Sequence, residues 1–258
     1  MSEIKFISGA DSFKVLNPLN PIYKQRYEGI VAFSDTLRAE MLRAGYAKGV
    51  FPWSVSAPYL WFFTDPRLVL DPSQLIISHS LHKRIRDALQ NVYRRDGIKH
   101  KLEIFLDHAP EDVLSGCAAA RPGQDGTWIS RPLRRAYLES MKDGFFHTIE
   151  CRVDGKLAAG LMFDSIGRML YGESMFTTLP DLSKLALSTL CSIARSESVH
   201  MIDCQEATEH LISLGGTELS GSDFYQSLQK ETARDPIDWR LYCGRSLNDC
   251  LGILLSDK

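Results

Sequence analysis

Two short stretches decide the fold of this chain: YGESMF at residues 171–176 and MIDCQ at residues 201–205. Each stretch is typical of a short apolar strand that ends on an acidic side chain, and the Leu-rich segment between them predicts a crossover helix joining two parallel strands. Because parallel strands place their carboxyl ends along the same edge of a sheet, we expect Glu173, Asp203 and Gln205 to meet in one crevice. The sequence therefore predicts the reactive site at this edge.

A β-meander is predicted immediately before this unit. Residues 147–153 alternate between polar and apolar side chains, as in a strand. Asp154-Gly155 is a strong hairpin signal, and residues 157–163 continue as the next strand. The sequence DSIG at residues 164–167 predicts a turn into a third strand, and helices are expected near residues 206–214 and 222–230. Three antiparallel strands, a helix, a parallel strand and a helix indicate an α+β fold with a mixed sheet like that of the acyl-CoA N-acyltransferases (GNAT-like).

The first seventy residues have a different pattern. Proline-containing turns interrupt them, and one helix is predicted, with Asp35 as its N-cap and apolar residues at helical spacing until Gly45. We therefore expect a small N-terminal α/β domain over residues 1–70 and a GNAT-like catalytic domain over residues 71–258.

Composition indicates an ordinary soluble globular protein. Its 44% hydrophobic residues, 24% charged residues and net charge of −2 exclude a disordered tail and a globally basic nucleic-acid coat, so no DNA partner is expected. Six cysteines without paired spacing, apolar runs far shorter than the roughly 20 residues of a membrane span, and an N-terminus unlike a signal peptide predict a cytoplasmic protein without membrane contact. His200, Cys204 and His210 fit no familiar zinc spacing, so no metal is expected.

The net charge of −2 conceals two locally basic segments. A basic helix is predicted from His79, with an apolar stripe from Leu81 to Val92. Residues 79–101 hold seven Lys or Arg side chains against Asp87 and Asp96. A second basic group surrounds Trp128 and consists of Arg121, Arg131, Arg134 and Arg135. A solvated helix face explains such runs equally well, but the nearby aromatic residue favours contact with the phosphates of a nucleic acid.

Taken in order, the motifs resemble the leucyl/phenylalanyl-tRNA–protein transferase family from about residue 46 to residue 224. Members of this family move an amino acid from aminoacyl-tRNA to a protein N-terminus. The chain resembles a divergent member, because it has FSDTL at residues 33–37 where the family usually has Gly-Gly-Asp-Leu. The matching motifs are GVFPW at 49–53, Trp61 with DPR at 65–67, GTWI at 126–129, AY at 136–137, His147 with Glu150, GESMF at 172–176, SK at 183–184, IDCQ at 202–205 and SLG at 213–215.

The resemblance implies transfer of Leu, Phe or Met to the N-terminal Arg or Lys of an acceptor protein, which creates an N-degron for regulated proteolysis. An activated ester and a positioned amine suffice for such a reaction, so no cofactor is implied. The acceptor α-amine, with a reference pKa of about 7.7 to 8.0, must lose a proton, and Asp203 with Gln205 is the predicted relay. Two roles stay open for Glu173: binding the acceptor's cationic side chain, which we favour, or orienting its amine.

The resemblance also implies where the aminoacyl-tRNA binds. Tyr46, Trp53 and Trp128 are predicted to bind the terminal adenosine, with the two tryptophans stacking on its base. Lys83, Arg84 and Arg86 are predicted to contact acceptor-stem phosphates. The predicted aminoacyl pocket, whose members periodicity alone would place in an ordinary core, consists of Leu161, Leu170, Leu190, Ala194 and Ile202.

Other functions remain open. An acetyl-CoA-dependent N-acetyltransferase of the GNAT type would share the sheet, but it needs a Gly-rich turn for pyrophosphate where this chain has DCQE at residues 203–206. A serine hydrolase would use residues 172–176 as its nucleophile elbow, although Phe176 stands where that tight turn needs Gly. A non-catalytic RNA-binding module leaves Asp203 and Gln205 unexplained. A family homologue with altered aminoacyl or acceptor specificity is a further alternative.

Overall fold

Two β-sheets organise the protein. A computed structural model describes residues 4–119 and 127–256, which form a four-stranded and an eight-stranded sheet. Within these ranges, no helix has both the length and the apolar character needed to cross a bilayer. The six cysteines are free thiols.

The smaller sheet lies in the N-terminal part of the chain. Its strands are β1 (Lys5–Phe6), β2 (Ile30–Ser34), β3 (Phe51–Pro52) and β4 (Tyr59–Phe62), in the spatial order β1-β2-β4-β3. Two helices accompany it, α1 (Pro21–Tyr27) and α2 (Ala39–Tyr46). The predicted N-cap Asp35 is wrong: residues 36–38 stay outside the helix, and the N-cap is Arg38, in an extended conformation and without a side-chain capping bond.

The larger sheet contains the predicted meander and parallel strand. Its strands are β5 (Arg67–Leu70), β6 (Val92–Arg95), β7 (Ile98–Leu106), β8 (Phe146–Val153), β9 (Lys156–Ile166), β10 (Met169–Thr177), β11 (Ile202–Gln205) and β12 (Thr217–Leu219). Their spatial order is β12-β5-β11-β10-β9-β8-β7-β6. β10 pairs with β11 in parallel, whereas β8, β9 and β10 pair in an antiparallel manner. The prediction of an α+β fold with a GNAT-like mixed sheet is confirmed.

Six further helices accompany the larger sheet. They are α3 (His79–Ala88), α4 (Pro110–Ala118), α5 (Arg131–Ser140), α6 (Leu182–Ser196), α7 (Glu209–Ser213) and α8 (Gly221–Thr232). α6 is the predicted crossover helix between β10 and β11. The basic helix predicted from His79, whose apolar stripe was expected to reach Val92, ends at Ala88. Asn91 takes a left-handed conformation (φ 57°) and the chain continues as β6 and β7.

The turn between β9 and β10 is tighter than predicted. β9 continues to Ile166 and β10 begins at Met169, so Asp164 is not a turn residue. It lies inside β9, opposite Tyr171 of β10 and Phe146 of β8, and has no exposed surface. Asp followed by Ser and Gly is a strong local turn signal, but pairing with strands on both sides overrides it here.

Two clusters of buried residues cover the two faces of the larger sheet. One packs the sheet against α6, with Leu170 and Ile202 among its members. The other joins the N-terminal part to the opposite face, and includes Tyr46 and Tyr171. The boundary predicted near residue 70 stays a prediction, and β5 (Arg67–Leu70) is already a strand of the larger sheet, paired with β11 and β12.

Candidate active site

The candidate active site is an opening between the carboxyl ends of β10 and β11. The two strands pair only at Leu170–Ile202 and Tyr171–Asp203, although β10 continues to Thr177. A bulge in β10 between Gly172 and Ser174 and the left-handed conformation of Gln205 (φ 57°) accompany the end of the pairing. Glu173 therefore lies on one side of the opening and Gln205 on the other. This is the edge of the sheet at which we expected the two residues to meet.

Two buried tyrosines hold the Glu173 side chain by hydrogen bonds. Its Oε2 accepts hydrogen bonds from the hydroxyls of Tyr46 (2.7 Å) and Tyr137 (2.8 Å), and those hydroxyls are 3.2 Å apart. Both tyrosines are buried, whereas Glu173 is partly exposed at the opening. Tyr137 entered the sequence analysis only as part of a motif, because nothing local indicated that its hydroxyl would reach a strand end.

The side-chain amide of Gln205 faces Glu173. In one orientation its nitrogen lies 3.4 Å from Glu173 Oε1; in the other, the nitrogen donates to the carbonyls of Gly172 (2.9 Å) and Cys204 (3.1 Å). The second orientation is favoured because it makes two shorter hydrogen bonds. It turns the amide oxygen towards Glu173, and that contact becomes a hydrogen bond when Glu173 carries a proton.

Glu173 is poised to exchange a proton near neutral pH. Burial raises the pKa of Glu173 to about 7, although the hydroxyls of Tyr46 and Tyr137 act in the opposite direction by donating to the carboxylate. The negative charge of Asp203 raises this pKa further, and the positive charge of Arg67 lowers it. A carboxyl with this pKa is partly ionised at neutral pH and can accept a proton from an ammonium group.

Asp203 is closed off from the opening by its ion pair with Arg67. Arg67 donates from Nε to Oδ1 (2.7 Å) and from Nη2 to Oδ2 (2.6 Å), and neither side chain has exposed surface. The backbone N–H of Gln205 donates to the same Oδ1 (2.9 Å), so Asp203 fixes the backbone that carries the amide. The guanidinium of Arg67 also lies over the rings of Phe224 (4.5 Å) and Phe51 (4.9 Å). The predicted role of Asp203 as a base stays a prediction.

The five side chains predicted to form the aminoacyl pocket are buried together. They belong to the cluster between the larger sheet and α6: Leu161, Leu170, Leu190, Ala194 and Ile202. This cluster lies on the opposite face of the sheet from the tyrosines that hold Glu173. Leu170 and Ile202 are paired directly before the two strands separate, so this cluster begins next to the opening.

The aromatic residues predicted to bind adenosine have different surroundings. Trp53 is 42% exposed and makes an edge contact with Phe62 at 5.8 Å, so part of its ring is open for stacking. Trp128 is partly buried against the cluster that contains Tyr46. Tyr46 itself is covered by Phe145 and Tyr171, and its hydroxyl is used by Glu173, so its contribution is to the carboxyl.

The predicted phosphate-binding residues do not share one exposed face. Lys83 and Arg86 are exposed on α3. Arg84 folds back: its guanidinium lies 4.2 Å from the centre of the Tyr93 ring and donates to the carbonyl of Arg94 (3.2 Å). In the second basic group, Arg134 donates to the Glu111 carbonyl (2.9 Å), Arg135 pairs with Glu139 (2.7 Å), Arg131 is exposed, and Arg121 lies outside the described residues.

The part of the chain that the structure describes contains no cluster of three His, Cys, Asp or Glu side chains suited to hold a metal ion.

Comparison with known proteins gives a family. A family model described as leucyl/phenylalanyl-tRNA protein transferase matches residues 69–229. Curated relatives with that name include a protein of Bordetella bronchiseptica, 40% identical over 214 residues that cover 83% of each chain, and one of Janthinobacterium sp., 40% identical over 82% of this chain and 86% of the relative. The chain belongs to this family of transferases. Among solved structures, a ribosomal-protein-alanine N-acetyltransferase from Brucella melitensis biovar Abortus is 17% identical, over 57% of this chain and 98% of that one, with a TM-score of 0.33.

Proposed function

We propose that this protein transfers Leu, Phe or Met from aminoacyl-tRNA to the α-amino group of acceptor proteins that begin with Arg or Lys. The reaction takes place in the cytoplasm and creates an N-degron. Membership of the family supports aminoacyl-tRNA and a protein acceptor as the two substrates. The observation that carries the proposal is the opening between β10 and β11, with a partly ionised Glu173 on one side and the Gln205 amide on the other.

The reaction needs one proton acceptor at the opening. Glu173 takes a proton from the acceptor ammonium, and the free amine attacks the ester carbonyl of the aminoacyl-tRNA. The C–N bond forms, the C–O bond to the ribose breaks, and a second proton passes from nitrogen to the ribose oxygen. The products are an amide, a free ribose hydroxyl and a protonated Glu173, so atoms and charge balance.

Of the two roles that the sequence leaves open for Glu173, the geometry favours orienting and deprotonating the acceptor amine. Glu173 is partly exposed at the opening, whereas both oxygens of Asp203 are occupied by Arg67 and sealed from solvent. Asp203 then acts through the backbone of Gln205, which it holds by a hydrogen bond. The Gln205 amide oxygen accepts a hydrogen bond from the Glu173 carboxyl when Glu173 is protonated.

The esterified side chain enters the apolar cluster formed by Leu161, Leu170, Leu190, Ala194 and Ile202. Entry through the opening requires these buried side chains to move apart. A slot of this kind discriminates by only about 1 to 3 kcal/mol per methylene, which is compatible with Leu, Met and Phe as alternative substrates. Trp53 and Trp128 flank the terminal adenosine, and exposed Lys83 and Arg86 contact phosphates.

A transfer assay tests the function directly. We expect purified protein and leucyl-tRNA to label a peptide that begins with Arg, and to leave the same peptide unlabelled when its α-amine is acetylated. Peptides that begin with Lys and with Ala then test the acceptor preference. Labelling of the peptide from acetyl-CoA, with none from leucyl-tRNA, would replace this proposal with the N-acetyltransferase alternative.

Trp53 provides a test of adenosine binding. Because its ring is 42% exposed, Trp53→Ala removes a stacking surface without opening the core. We expect the Kd for aminoacyl-tRNA to rise about tenfold, since base stacking on an aromatic ring is worth roughly 1–3 kcal/mol. Trp53→Phe keeps an aromatic face and serves as the control. An unchanged Kd in the Ala variant would limit Trp53 to packing against Phe62.

A further inference from the structure

Asp164 is a buried acid beside the candidate active site that no step of the proposed reaction uses. It lies two residues before the end of β9 and has no exposed surface. Its strand partners Tyr171 and Phe146 both belong to the cluster that contains Tyr46 and Tyr137. The carboxyl of Asp164 therefore lies on the face of the sheet on which the two tyrosines hold Glu173.

The carboxyl of Asp164 has no conventional hydrogen-bond donor. Within residues 4–119 and 127–256, no N–H or hydroxyl group donates to either of its oxygens. Glu173 lies two residues after Tyr171, the strand partner of Asp164, and its charge acts on the Asp164 carboxyl. Two neighbouring carboxyl groups can form a hydrogen bond with each other only if one of them carries the proton.

The surroundings decide which carboxyl holds that proton. The titratable groups that face Asp164 are Tyr46 on α2, Tyr137 on α5, and Tyr171 and Glu173 on β10, and none of them supplies a positive charge. Burial raises the pKa of Asp164 well above its ordinary value, and the negative charge of Glu173 raises it further.

Glu173 is better suited to carry the negative charge. It is partly exposed and accepts hydrogen bonds from the two tyrosine hydroxyls, and Arg67 lies near enough to favour its ionised form. A fully buried carboxyl without donors is stable only in its neutral state, whereas a carboxylate with several donors is stable when ionised.

We propose that Asp164 is a positioning residue for aminoacyl transfer, which stays protonated and donates its proton in a hydrogen bond to Glu173. This role rests on the proposed function of Glu173 as acceptor of the amine proton. The hydrogen bond completes a set of donors from Tyr46, Tyr137 and Asp164, which fixes the carboxylate at the opening and stabilises its ionised form. Without Asp164, Glu173 would be neutral at a pH where the enzyme needs it ionised.

Two substitutions of Asp164 separate this role from others. Asp164→Asn keeps the shape, the neutral charge and an N–H donor towards Glu173, so we expect the pH dependence of kcat/KM to stay that of the wild type. Asp164→Leu keeps neutrality but removes the donor. We expect it to lose about tenfold in kcat/KM at pH 7 and to regain activity at higher pH, because Glu173 then ionises less readily. Ser165→Ala, at the next position of β9 and on the opposite face, serves as the control.

The protonation of Asp164 can also be measured without substrates, so the result does not depend on the proposed function. The infrared absorption of a protonated carboxyl is expected to persist in the wild type above neutral pH and to disappear in Asp164→Asn at those pH values. This result would hold even if the protein had no transferase activity. The proposal is overturned if no protonated carboxyl persists, if Asp164→Asn moves the pH profile to lower pH as loss of a charge would, or if a folded Asp164→Leu keeps the wild-type profile.

Discussion

Replacement of Glu173 with Gln is expected to lower kcat/KM for aminoacyl transfer by about 10²–10⁴-fold, because the variant cannot take the proton of the acceptor amine. The substitution keeps the size of the side chain and lets its amide oxygen accept from the hydroxyls of Tyr46 and Tyr137. Affinity for aminoacyl-tRNA should therefore change little. Steady-state kinetics with a peptide acceptor, together with a tRNA-binding measurement, separates the two effects.

The pH dependence provides the sharper measurement for Glu173. Because its pKa is raised to about 7, the wild-type kcat/KM should increase as pH rises through that value and Glu173 loses its proton. In Glu173→Gln this near-neutral ionisation should be absent. Glu218→Gln, the same change at an exposed position of β12, should retain both activity and profile. Wild-type kinetics in Glu173→Gln would exclude Glu173 as the proton acceptor.

Neutralisation of Asp203 is expected to destabilise the fold by about 3–5 kcal/mol, because Asp203→Asn leaves the Arg67 guanidinium buried without its counter-charge. Neither side chain has exposed surface, so water cannot replace the lost carboxylate. Urea unfolding at 25 °C measures the change in stability from the shift of the unfolding midpoint, when the dependence of the unfolding free energy on urea concentration is unchanged. In Arg67→Met combined with Asp203→Leu, no charge is left unpaired, and much of the lost stability should return.

An exposed ion pair provides the comparison for the buried one. Arg135→Ala removes an ion pair with Glu139 at the surface of α5, and we expect the urea midpoint to stay essentially unchanged. A similarly small effect of Asp203→Asn would show that Arg67 is solvated or re-paired in the variant, which contradicts the sealed pair seen here.

The same Asp203→Asn variant distinguishes the two roles of Asp203, if it is assayed below its unfolding temperature. If Asp203 only positions Gln205, the ionisation of Glu173 persists and shifts to lower pH, because the charge that raised the pKa of Glu173 is gone while Arg67 remains. If Asp203 is the base that the sequence predicts, the near-neutral ionisation is lost with it.

Much of the fold follows from local patterns in the sequence. The Asp154-Gly155 turn, the alternating strands around it and the Leu-rich segment after residue 181 were enough to predict a meander, a crossover helix and a parallel strand, and these predictions are confirmed. Hairpin turns and helix stripes depend on neighbours within a few residues, so one chain suffices to recognise them.

The sequence by itself determined that Glu173 and Gln205 would lie at neighbouring strand ends, because a right-handed crossover leaves little choice of topology. Only the tertiary structure decided what each acid does. Asp203 is paired with Arg67 from 136 residues earlier, Glu173 is held by Tyr46 and Tyr137, and Asp164, whose local sequence indicates a turn, is buried beside Glu173. Burial and the charges of distant residues set the proton affinity of a carboxyl, and neither can be read from the residues next to it along the chain.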